Sequence, residues 1–258
     1  MEEIWFLGLN NSTKYSRSLI GGFLEIFLYY SMENCYPVAR RVNNRVGCTG
    51  TDWVIQGRVG EESLHAKVYG ACCKENCDYV MKIELGSNTD SENELQIMAA
   101  EIGLAPKIVD SFTCNNKSFI VMEALNQTAF DLILRYKDPK VHLSIIDECF
   151  SLLKRIHSYG YAHGDSHLNN FMVKYSRENM VKSLEESDPV KSYKALAPKY
   201  FLIDFGYSGR IDDVLTARED YIKIYIHLNR HYENTLLDEE LSIYAPVLEK
   251  IMREIAKQ

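Results

Sequence analysis

The chain has 258 residues, enough for one large domain or for two smaller lobes around a cleft. Hydrophobic residues make up 46% and charged residues 25%, which is the composition of an ordinary globular protein. The formal net charge of −7 counts against nucleic-acid binding, because a protein that binds phosphate backbones presents a basic face.

The seven cysteines are too few for a disulfide scaffold in a chain of this length, and their odd number favours reduced thiols and a cytoplasmic protein. Cys72, Cys73 and Cys77 lie close together but lack a histidine partner at the spacing of a zinc site. They are therefore predicted to be small core and turn residues. Residues 19–30 form the longest apolar run, which Glu25 interrupts and which is shorter than the roughly 20 residues of a membrane span. No membrane span is expected.

The first part of the chain is predicted to be rich in strands. Residues 1–50 show no repeat and no clear periodicity, and we interpret them as an extension packed on the first lobe or as a partner-binding segment. β-branched and aromatic residues predict strands at 53–55 and 66–69, with a loop at 59–65 between them. A further strand is predicted at 79–83, where one lysine interrupts an apolar run.

Helical spacing of apolar residues begins at residues 89–102, a predicted helix that Gly103 ends. A short apolar strand is predicted at 119–122. The clearest helix is predicted at 144–157, because its apolar residues form one stripe, as expected for a helix that packs on a core.

The last third of the chain combines two short strands with helices. The strands are predicted at 171–173 and 201–203. The segment 174–199 between them is rich in Lys and Glu, and we interpret it as a solvated, mobile insertion. A helix is predicted from Asp220 and a closing helix over 241–255.

Two polar motifs interrupt this pattern. Within residues 161–170, Asp165 and Asn170 stand five positions apart in the order H-x-D-x-x-x-x-N. Further on, Asp204 ends an apolar run and is followed by a Phe-Gly pair. At these residues the sequence resembles the protein-kinase-like superfamily, in which the first motif is the catalytic loop and the second holds the metal-binding aspartate.

The resemblance implies an α+β, two-lobed protein-kinase-like fold, with a small antiparallel-sheet N-lobe and a mainly helical, shortened C-lobe. Residues 51–125 would form the N-lobe and hinge, behind an N-terminal extension at 1–50. Residues 126–258 would form the C-lobe, with the polar insertion at about 174–199. Compact kinases of large DNA viruses and of some bacterial effectors have similar features, and such a protein would act in the host-cell cytoplasm.

Phosphoryl transfer depends mainly on positioning and on charge stabilisation, so the resemblance assigns a few polar residues to it. Asp165 would accept the proton of the incoming hydroxyl as the catalytic base. Asn170 and Asp204 would hold Mg²⁺, and Lys82 would bind the α- and β-phosphates of ATP. His167 replaces the lysine expected two positions after the catalytic aspartate, and it is the third predicted catalytic residue.

Four further positions are predicted to bind the nucleotide directly. Gly60 would be the first glycine of the loop that covers the phosphates. In the hinge, backbone groups of Glu123 and Leu125 would bind the adenine, with Met122 behind it as the gatekeeper.

Glu94 completes the predicted nucleotide site, because the resemblance makes it the ion-pair partner of Lys82, with Glu92 as the alternative. A surface-helix position for either acid remains open. The cation of Lys82 would thus be held in place by a carboxylate.

Three departures from the kinase pattern limit what the resemblance implies. Glu62 and His65 stand where the glycine-rich loop should have its second and third glycines. No A-P-E motif follows Asp204. Gly164 replaces the arginine that meets a phosphorylated activation loop, so no switching by such phosphorylation is predicted.

Three hypotheses follow. The first is a compact serine/threonine protein kinase that uses ATP and Mg²⁺. The second is a small-molecule kinase of the same fold, since the string His-Gly-Asp-x-His is similar to that of small-molecule phosphotransferases. The third is a catalytically silent pseudokinase that serves as a binding module, because the glycine-rich loop fits poorly.

Overall fold

The computed structural model divides the chain into two compact units. It describes the chain except at residues 1–13, 21–22, 30–34, 38–46, 60–65, 86–88, 115–116 and 212–213, and it describes side chains from Gly47 onward except at those gaps and at residues 51, 85, 89–93, 214–216 and 238. The sheet unit comprises Met1–Asn93 and Lys107–Ala124, and the helical unit comprises Glu94–Pro106 and Leu125–Gln258. Each unit has a hydrophobic core of its own.

The sheet unit contains eight described strands. These are β1 (Lys14–Ile20), β2 (Phe23–Tyr29), β3 (Cys35–Pro37), β4 (Trp53–Arg58), β5 (Ala66–Cys73), β6 (Asn76–Leu85), β7 (Ile108–Cys114) and β8 (Lys117–Glu123). β1 and β2 pair as a separate hairpin, and the other six form an antiparallel sheet in the order β3-β7-β8-β6-β5-β4. The helix α1 (Thr89–Glu101) follows β6. The predicted strands of this region and the predicted helix are confirmed.

Strand periodicity sets the core of the sheet unit. In β6, Met81 and Ile83 are buried in the core, and Lys82 between them faces the other side of the sheet. On the paired strands β7 and β8, Phe112 and Phe119 stack with their ring centroids 4.9 Å apart. Aromatic pairs of this kind stabilise a core beyond the area they bury.

Disulfides link cysteines of the sheet unit, so the prediction of reduced thiols is wrong. Cys73 is bonded to Cys48, with a Cα–Cα distance of 5.8 Å, and Cys72 is bonded to Cys77, with a Cα–Cα distance of 4.0 Å. Cys114 is disulfide-bonded as well. The expectation of a cytoplasmic protein rested on reduced thiols and loses that support.

The position of the pairs explains why spacing did not reveal them. Cys72 and Cys73 are consecutive in a strand, so their side chains point to opposite faces and meet different partners. The β5–β6 hairpin brings Cys77 close to the first, and the segment before β4 brings Cys48 to the second. Strand pairing, which sequence spacing does not show, created both contacts.

The described residues of the helical unit form six helices besides part of α1, and five short strands. They are β9 (Gln127–Thr128), α2 (Ala129–Arg135), α3 (Pro139–Ser158), β10 (Tyr161–Ala162), β11 (Phe171–Lys174), α4 (Arg177–Glu185), α5 (Pro189–Leu196), β12 (Lys199–Leu202), β13 (Gly209–Arg210), α6 (Val214–Thr235) and α7 (Asp238–Ile255). The predicted α+β class, with a small antiparallel-sheet unit and a mainly helical unit, is confirmed. Among the residues that the structure describes, no helix is long and apolar enough to cross a membrane.

α3 is the central helix of this unit. Its start is set by Asp138, which accepts hydrogen bonds from the amides of Lys140 and Val141 at 2.8 and 3.3 Å, and by Pro139 at the first helical position. The helix therefore begins five residues before the predicted start at 144. Its buried stripe packs in the core of the unit and consists of Val141, Ile145, Ile146, Cys149, Phe150, Leu152, Leu153 and Ile156. Cys149 is a free thiol.

The predicted solvated insertion at 174–199 is instead largely helical, because α4 and α5 occupy most of it. Ser176 and Asp188 cap the two helices by accepting hydrogen bonds from the amides of Asn179 and Lys191. The helices are tied together inside, where the Ser192 hydroxyl donates to the Ser183 carbonyl at 2.7 Å. Charged residues dominate the exposed sides, which explains why the composition suggested a loop.

Candidate active site

The predicted catalytic loop connects α3 to β11 within the helical unit. Gly160, at φ +81°, lets the chain leave α3 through a left-handed turn. β10 then pairs with β13, and a 3₁₀ turn at Leu168–Asn170 leads into β11. The loop between them is therefore held at both ends by regular structure.

Asp165 lies in this loop among polar groups. Asn170 donates from Nδ2 to the carbonyl oxygen of Asp165 at 2.8 Å and to its Oδ2 at 3.2 Å. His167 Nε2 lies 3.4 Å from the same Oδ2, and Lys223 Nζ lies 3.6 Å from Oδ1. The side chain is 27% exposed, so the carboxylate is both positioned by its neighbours and accessible from solvent.

A buried carboxylate, Asp220 of α6, holds the loop from inside. Its Oδ2 accepts hydrogen bonds from the amide of His163 at 2.8 Å and from Nε2 of His157 at 2.9 Å, and its Oδ1 accepts from the amide of Gly164 at 2.9 Å. Burial by itself would raise the pKa of Asp220, but the hydrogen bonds from His157 and the His163 amide outweigh it and lower the pKa. The ionised carboxylate therefore fixes two consecutive amides of the loop.

His163 links the loop to the segment that carries Asp204. Its Nε2 donates to the carbonyl of Ile203 at 2.9 Å, and its Nδ1 accepts from the amide of Asp165 at 3.3 Å. Desolvation lowers the pKa of this fully buried ring, although the carboxylate of Asp220 opposes the shift. The imidazole is therefore neutral at pH 7 and acts as a structural bridge.

Asp204 follows β12 in a strained backbone conformation. Its φ is +61°, a region that residues other than glycine seldom adopt and that occurs often at functional sites. The amide of Ile203, just before it, donates to the carbonyl of Asn170 at 3.0 Å. Asp204, the predicted metal-binding aspartate, therefore directly follows a residue that is hydrogen-bonded to the end of the catalytic loop.

Gly164 explains one departure from the kinase pattern. Its φ is +76°, and a Cβ added there would lie 2.1 Å from the carbonyl oxygen of Tyr207. Ser208 adds a hydrogen bond from its hydroxyl to the carbonyl of His163 at 2.7 Å. The segment after Asp204 is thus packed directly on the loop backbone, and a side chain at position 164 would prevent this contact.

The predicted cation Lys82 lies in the sheet unit, on β6. Its side chain is buried, and Nζ lies 2.9 Å from Oε1 of Glu84, two residues further along the same strand. Residues at this spacing project from the same face of a strand. The described ion pair is therefore formed with Glu84, which the sequence interpretation did not single out.

The predicted hinge residues lie where the chain leaves the sheet unit. Met122 is buried on β8 opposite Val80 of β6. Glu123 donates from its amide to the carbonyl of Lys107 at 3.0 Å, and its Oε1 accepts from the Lys107 amide at 2.9 Å. Leu125, the first residue of the helical unit after this strand, is half-buried.

The structure brings together three of the predicted site residues, Asp165, His167 and Asn170. Gly60 lies outside the described residues, as does the side chain of Glu92, and Glu94 is exposed on α1. The nucleotide-binding roles of the residues in the sheet unit therefore stay predictions.

Two residues of α6 that the sequence interpretation missed contact the loop. Lys223 approaches Asp165 and also donates to the carbonyl of Gly164. His227 accepts a hydrogen bond at Nδ1 from the amide of Leu168 at 3.0 Å. Both follow Asp220 at three and seven residues, on one face of the helix. The helical spacing from Asp220 was the signal that could have identified them.

Neither a protein-family model nor a curated protein sequence matches this chain. Among solved structures, the chain is similar to the kinase PK-1 of Cydia pomonella granulovirus, at 21% sequence identity and a TM-score of 0.46, over 63% of this chain and 54% of that chain. It is also similar to the BubR1 kinase domain, at 18% identity and a TM-score of 0.46, over 62% of this chain and 48% of that chain. The chain thus spans about half the length of each of these two proteins.

Proposed function

We propose that this chain is a protein-kinase-like phosphotransferase that transfers the γ-phosphoryl group of Mg-ATP to a serine or threonine hydroxyl of a protein. The observation that carries the proposal is the grouping of Asp165, His167 and Asn170 in one loop. An accessible carboxylate that can take up the hydroxyl proton, in contact with an amide whose oxygen can bind Mg²⁺, suits phosphoryl transfer to a hydroxyl.

Asp165 is the proposed general base. The hydroxyl oxygen attacks the γ-phosphorus, its proton passes to the carboxylate of Asp165, and the bond from the γ-phosphorus to the β,γ-bridging oxygen breaks to release ADP. Such proton transfer contributes about 10²–10⁴ to the rate. The hydrogen bond from Asn170 to Oδ2 orients the carboxylate, and its partial exposure leaves room for a substrate.

Asn170 and Asp204 are the proposed Mg²⁺ ligands. Among the described residues there is no cluster of three or more His, Cys, Asp or Glu side chains suited to a metal. Mg²⁺ is held by one or two protein oxygens and completes its shell with phosphates and water, so one amide and one carboxylate are suitable ligands. Because Asn170 donates through Nδ2, its Oδ1 is the atom suited to a metal. When bound, Mg²⁺ neutralises the phosphate charge.

The sheet unit contains the residues to which the proposal assigns nucleotide-binding roles. Lys82 would bind the α- and β-phosphates, and the carboxylate of Glu84, whose Oε1 lies 2.9 Å from Nζ, supports this role because it holds the side chain in place. Gly60 would cover the phosphates, Met122 would line the adenine pocket, and the backbone at 123–125 would bind the adenine.

A small-molecule acceptor is the second candidate. It is favoured by Gly164, which stands in the string His-Gly-Asp-x-His and which the packing of Tyr207 requires. A protein acceptor and a metabolite would present the same hydroxyl to Asp165, so the loop supports both.

The test is transfer of labelled phosphate from ATP to a protein mixture and, separately, to a metabolite mixture. We expect transfer to protein by the wild type, and losses of at least about 100-fold in Asp165→Asn and Lys82→Met. Glu178→Gln, which changes an exposed carboxylate of α4, is the matched control and should remain active.

Two outcomes would contradict the proposal. Transfer to metabolites alone would identify a small-molecule kinase. Stabilisation by Mg-ATP without any transfer would identify a pseudokinase, with about 2.7 kcal/mol expected at a hundredfold excess of nucleotide over Kd.

A further inference from the structure

Lys223 of α6 contacts the catalytic loop at two points. Its Nζ lies 3.6 Å from Oδ1 of Asp165 and donates a hydrogen bond to the carbonyl of Gly164. The two contacts lie on consecutive loop residues, so one ammonium group fixes both the backbone before the proposed base and the carboxylate itself.

The packing of α6 sets the position of this ammonium group. Asp220, one turn earlier, binds the amides of His163 and Gly164, and His227, one turn later, accepts from the amide of Leu168. Residues at these spacings share one face of a helix. The register of α6 against the loop is thus fixed on both sides of Lys223.

The neighbouring histidines differ from Lys223 in charge. His167 lies 3.4 Å from Oδ2 of Asp165 and is charged only when protonated. Desolvation and the neighbouring His167 lower the pKa of His227 to about 4, so His227 is neutral at pH 7. Lys223 instead places its ammonium group 3.6 Å from Oδ1 of Asp165.

We infer that Lys223 is a positioning residue for phosphoryl transfer. It replaces the lysine that serine/threonine kinases carry two positions after the catalytic aspartate. In this chain His167 stands at that place in the sequence. The cation comes instead from α6 and acts through Asp165, whose carboxylate it orients toward the acceptor hydroxyl. This inference rests on the proposed function, because it concerns the same reaction.

The test compares kcat and KM for ATP in Lys223→Met, Lys223→Arg and the wild type. Lys223→Met keeps most of the side-chain length and removes the ammonium group, and we expect kcat to fall about 10- to 100-fold with KM for ATP within about twofold. Lys223→Arg should recover most of kcat, because it keeps a cation. Lys182→Met, which removes an exposed lysine of α4, is the control and should match the wild type.

A charge-rescue experiment separates this role from a purely structural one. In Lys223→Cys, alkylation of the thiolate by 2-bromoethylamine forms a carbon–sulfur bond, releases bromide and restores an ammonium group at nearly the original length. Cys149 is a fully buried free thiol, so it is protected in the folded protein, and the wild type treated in the same way is the control. We expect at least about a tenfold gain in kcat on alkylation with an unchanged melting temperature.

The outcomes distinguish this inference from the proposed function. If the wild type is active and Lys223→Met keeps kcat within about twofold of it, the role of Lys223 is overturned and the proposed function is not. The same follows if alkylation of Lys223→Cys gives no gain in kcat. A wild type that transfers no phosphate to any acceptor would overturn the proposed function, and this inference with it.

Discussion

The two units hold their predicted site residues in different ways. In the sheet unit, Lys82 pairs with Glu84, two residues away on the same strand. In the helical unit, the loop around Asp165 is held by α6, whose Asp220 binds an amide 57 residues earlier in the chain. A local contact follows from strand periodicity alone, whereas the loop depends on how a distant helix packs.

The units also differ in what stabilises them. The sheet unit carries the described disulfides, whereas in the helical unit the one cysteine, Cys149, is a free thiol. The helical unit relies on a large apolar core and on the buried hydrogen bonds of Asp220. Trp53 is buried in the sheet unit, and the sequence of the helical unit contains no tryptophan. Tryptophan fluorescence therefore reports on the sheet unit, and helical circular dichroism reports mainly on the helical unit.

The largest effect on this contrast between the two units is expected from Gly164→Ala, which disrupts the tertiary packing of the loop. A Cβ there would lie 2.1 Å from the Tyr207 carbonyl at a φ of +76°. We expect the free energy of unfolding of the helical unit to fall by about 4 kcal/mol and phosphoryl transfer to fall at least about 100-fold. Urea denaturation followed by circular dichroism, together with the transfer assay, measures both.

Gly160→Ala is the matched control for this variant. Its φ is +81°, but a Cβ there would meet nothing within 4 Å. It therefore has the same backbone strain without the clash, at a cost of about 1 kcal/mol. Equal losses of unfolding free energy in the two variants would show that backbone strain, rather than the contact with Tyr207, accounts for the glycine at position 164.

Reduction of the disulfides should affect the other unit. Loss of each cross-link increases the conformational entropy of the unfolded chain. We expect the free energy of unfolding of the sheet unit to fall by about 3 kcal/mol. The Trp53 fluorescence midpoint in urea should fall on addition of a reductant, while the circular dichroism midpoint stays in place. Equal shifts of both midpoints would mean that the two units unfold together and would remove the contrast in their stabilisation.

Asp220→Asn tests the anchor of the loop at constant size. An asparagine has one acceptor oxygen, so one of the amides of His163 and Gly164 loses its partner. We expect a loss of about 2 kcal/mol in the unfolding free energy of the helical unit, with the Trp53 midpoint unchanged. Asp147→Asn, an exposed carboxylate on α3, is the control. A similar effect of both substitutions would contradict the anchoring role.

The smallest predicted effect is a pH dependence confined to the helical unit. Desolvation lowers the pKa of His227 to about 4, so between pH 6.5 and 4 the unfolded state binds a proton that the folded state does not. A pKa difference of this size corresponds to about 3 kcal/mol, and solvent screening of the half-buried ring reduces the expected loss of unfolding free energy through this window to about 1 kcal/mol. Desolvation also lowers the pKa values of His142, His163 and His231, which act in the same direction.

Circular dichroism midpoints at pH 7 and pH 5 measure this dependence. His227→Asn should reduce it, because the amide oxygen can still accept from the Leu168 amide but does not titrate in this range. A variant with the full wild-type pH dependence would exclude His227 as a source of it.

Local patterns in the sequence predicted about half of the described strands and helices. The strands around Lys82 and the helix that leads to Asp165 follow from apolar periodicity, which reflects the burial of one face. The contact of Asp165 with Asn170 spans only five residues, so it was also within reach of motif reasoning. The helices of the 174–199 segment were missed, because both are short and charged residues cover their exposed sides.

The sequence by itself determined the elements with a clear apolar period and the residue types of the candidate loop, since each depends on neighbours within one or two turns or strands. The resemblance of its motifs to the protein-kinase-like superfamily implied the α+β class. Only the tertiary structure decided the disulfide partners, the need for glycine at position 164 and the approach of Lys223 to Asp165. The physical reason is that these contacts, apart from Cys72–Cys77 within one hairpin, join residues far apart in the chain. Their geometry depends on how strands pair and how α6 packs, and neither leaves a periodic signal in the sequence.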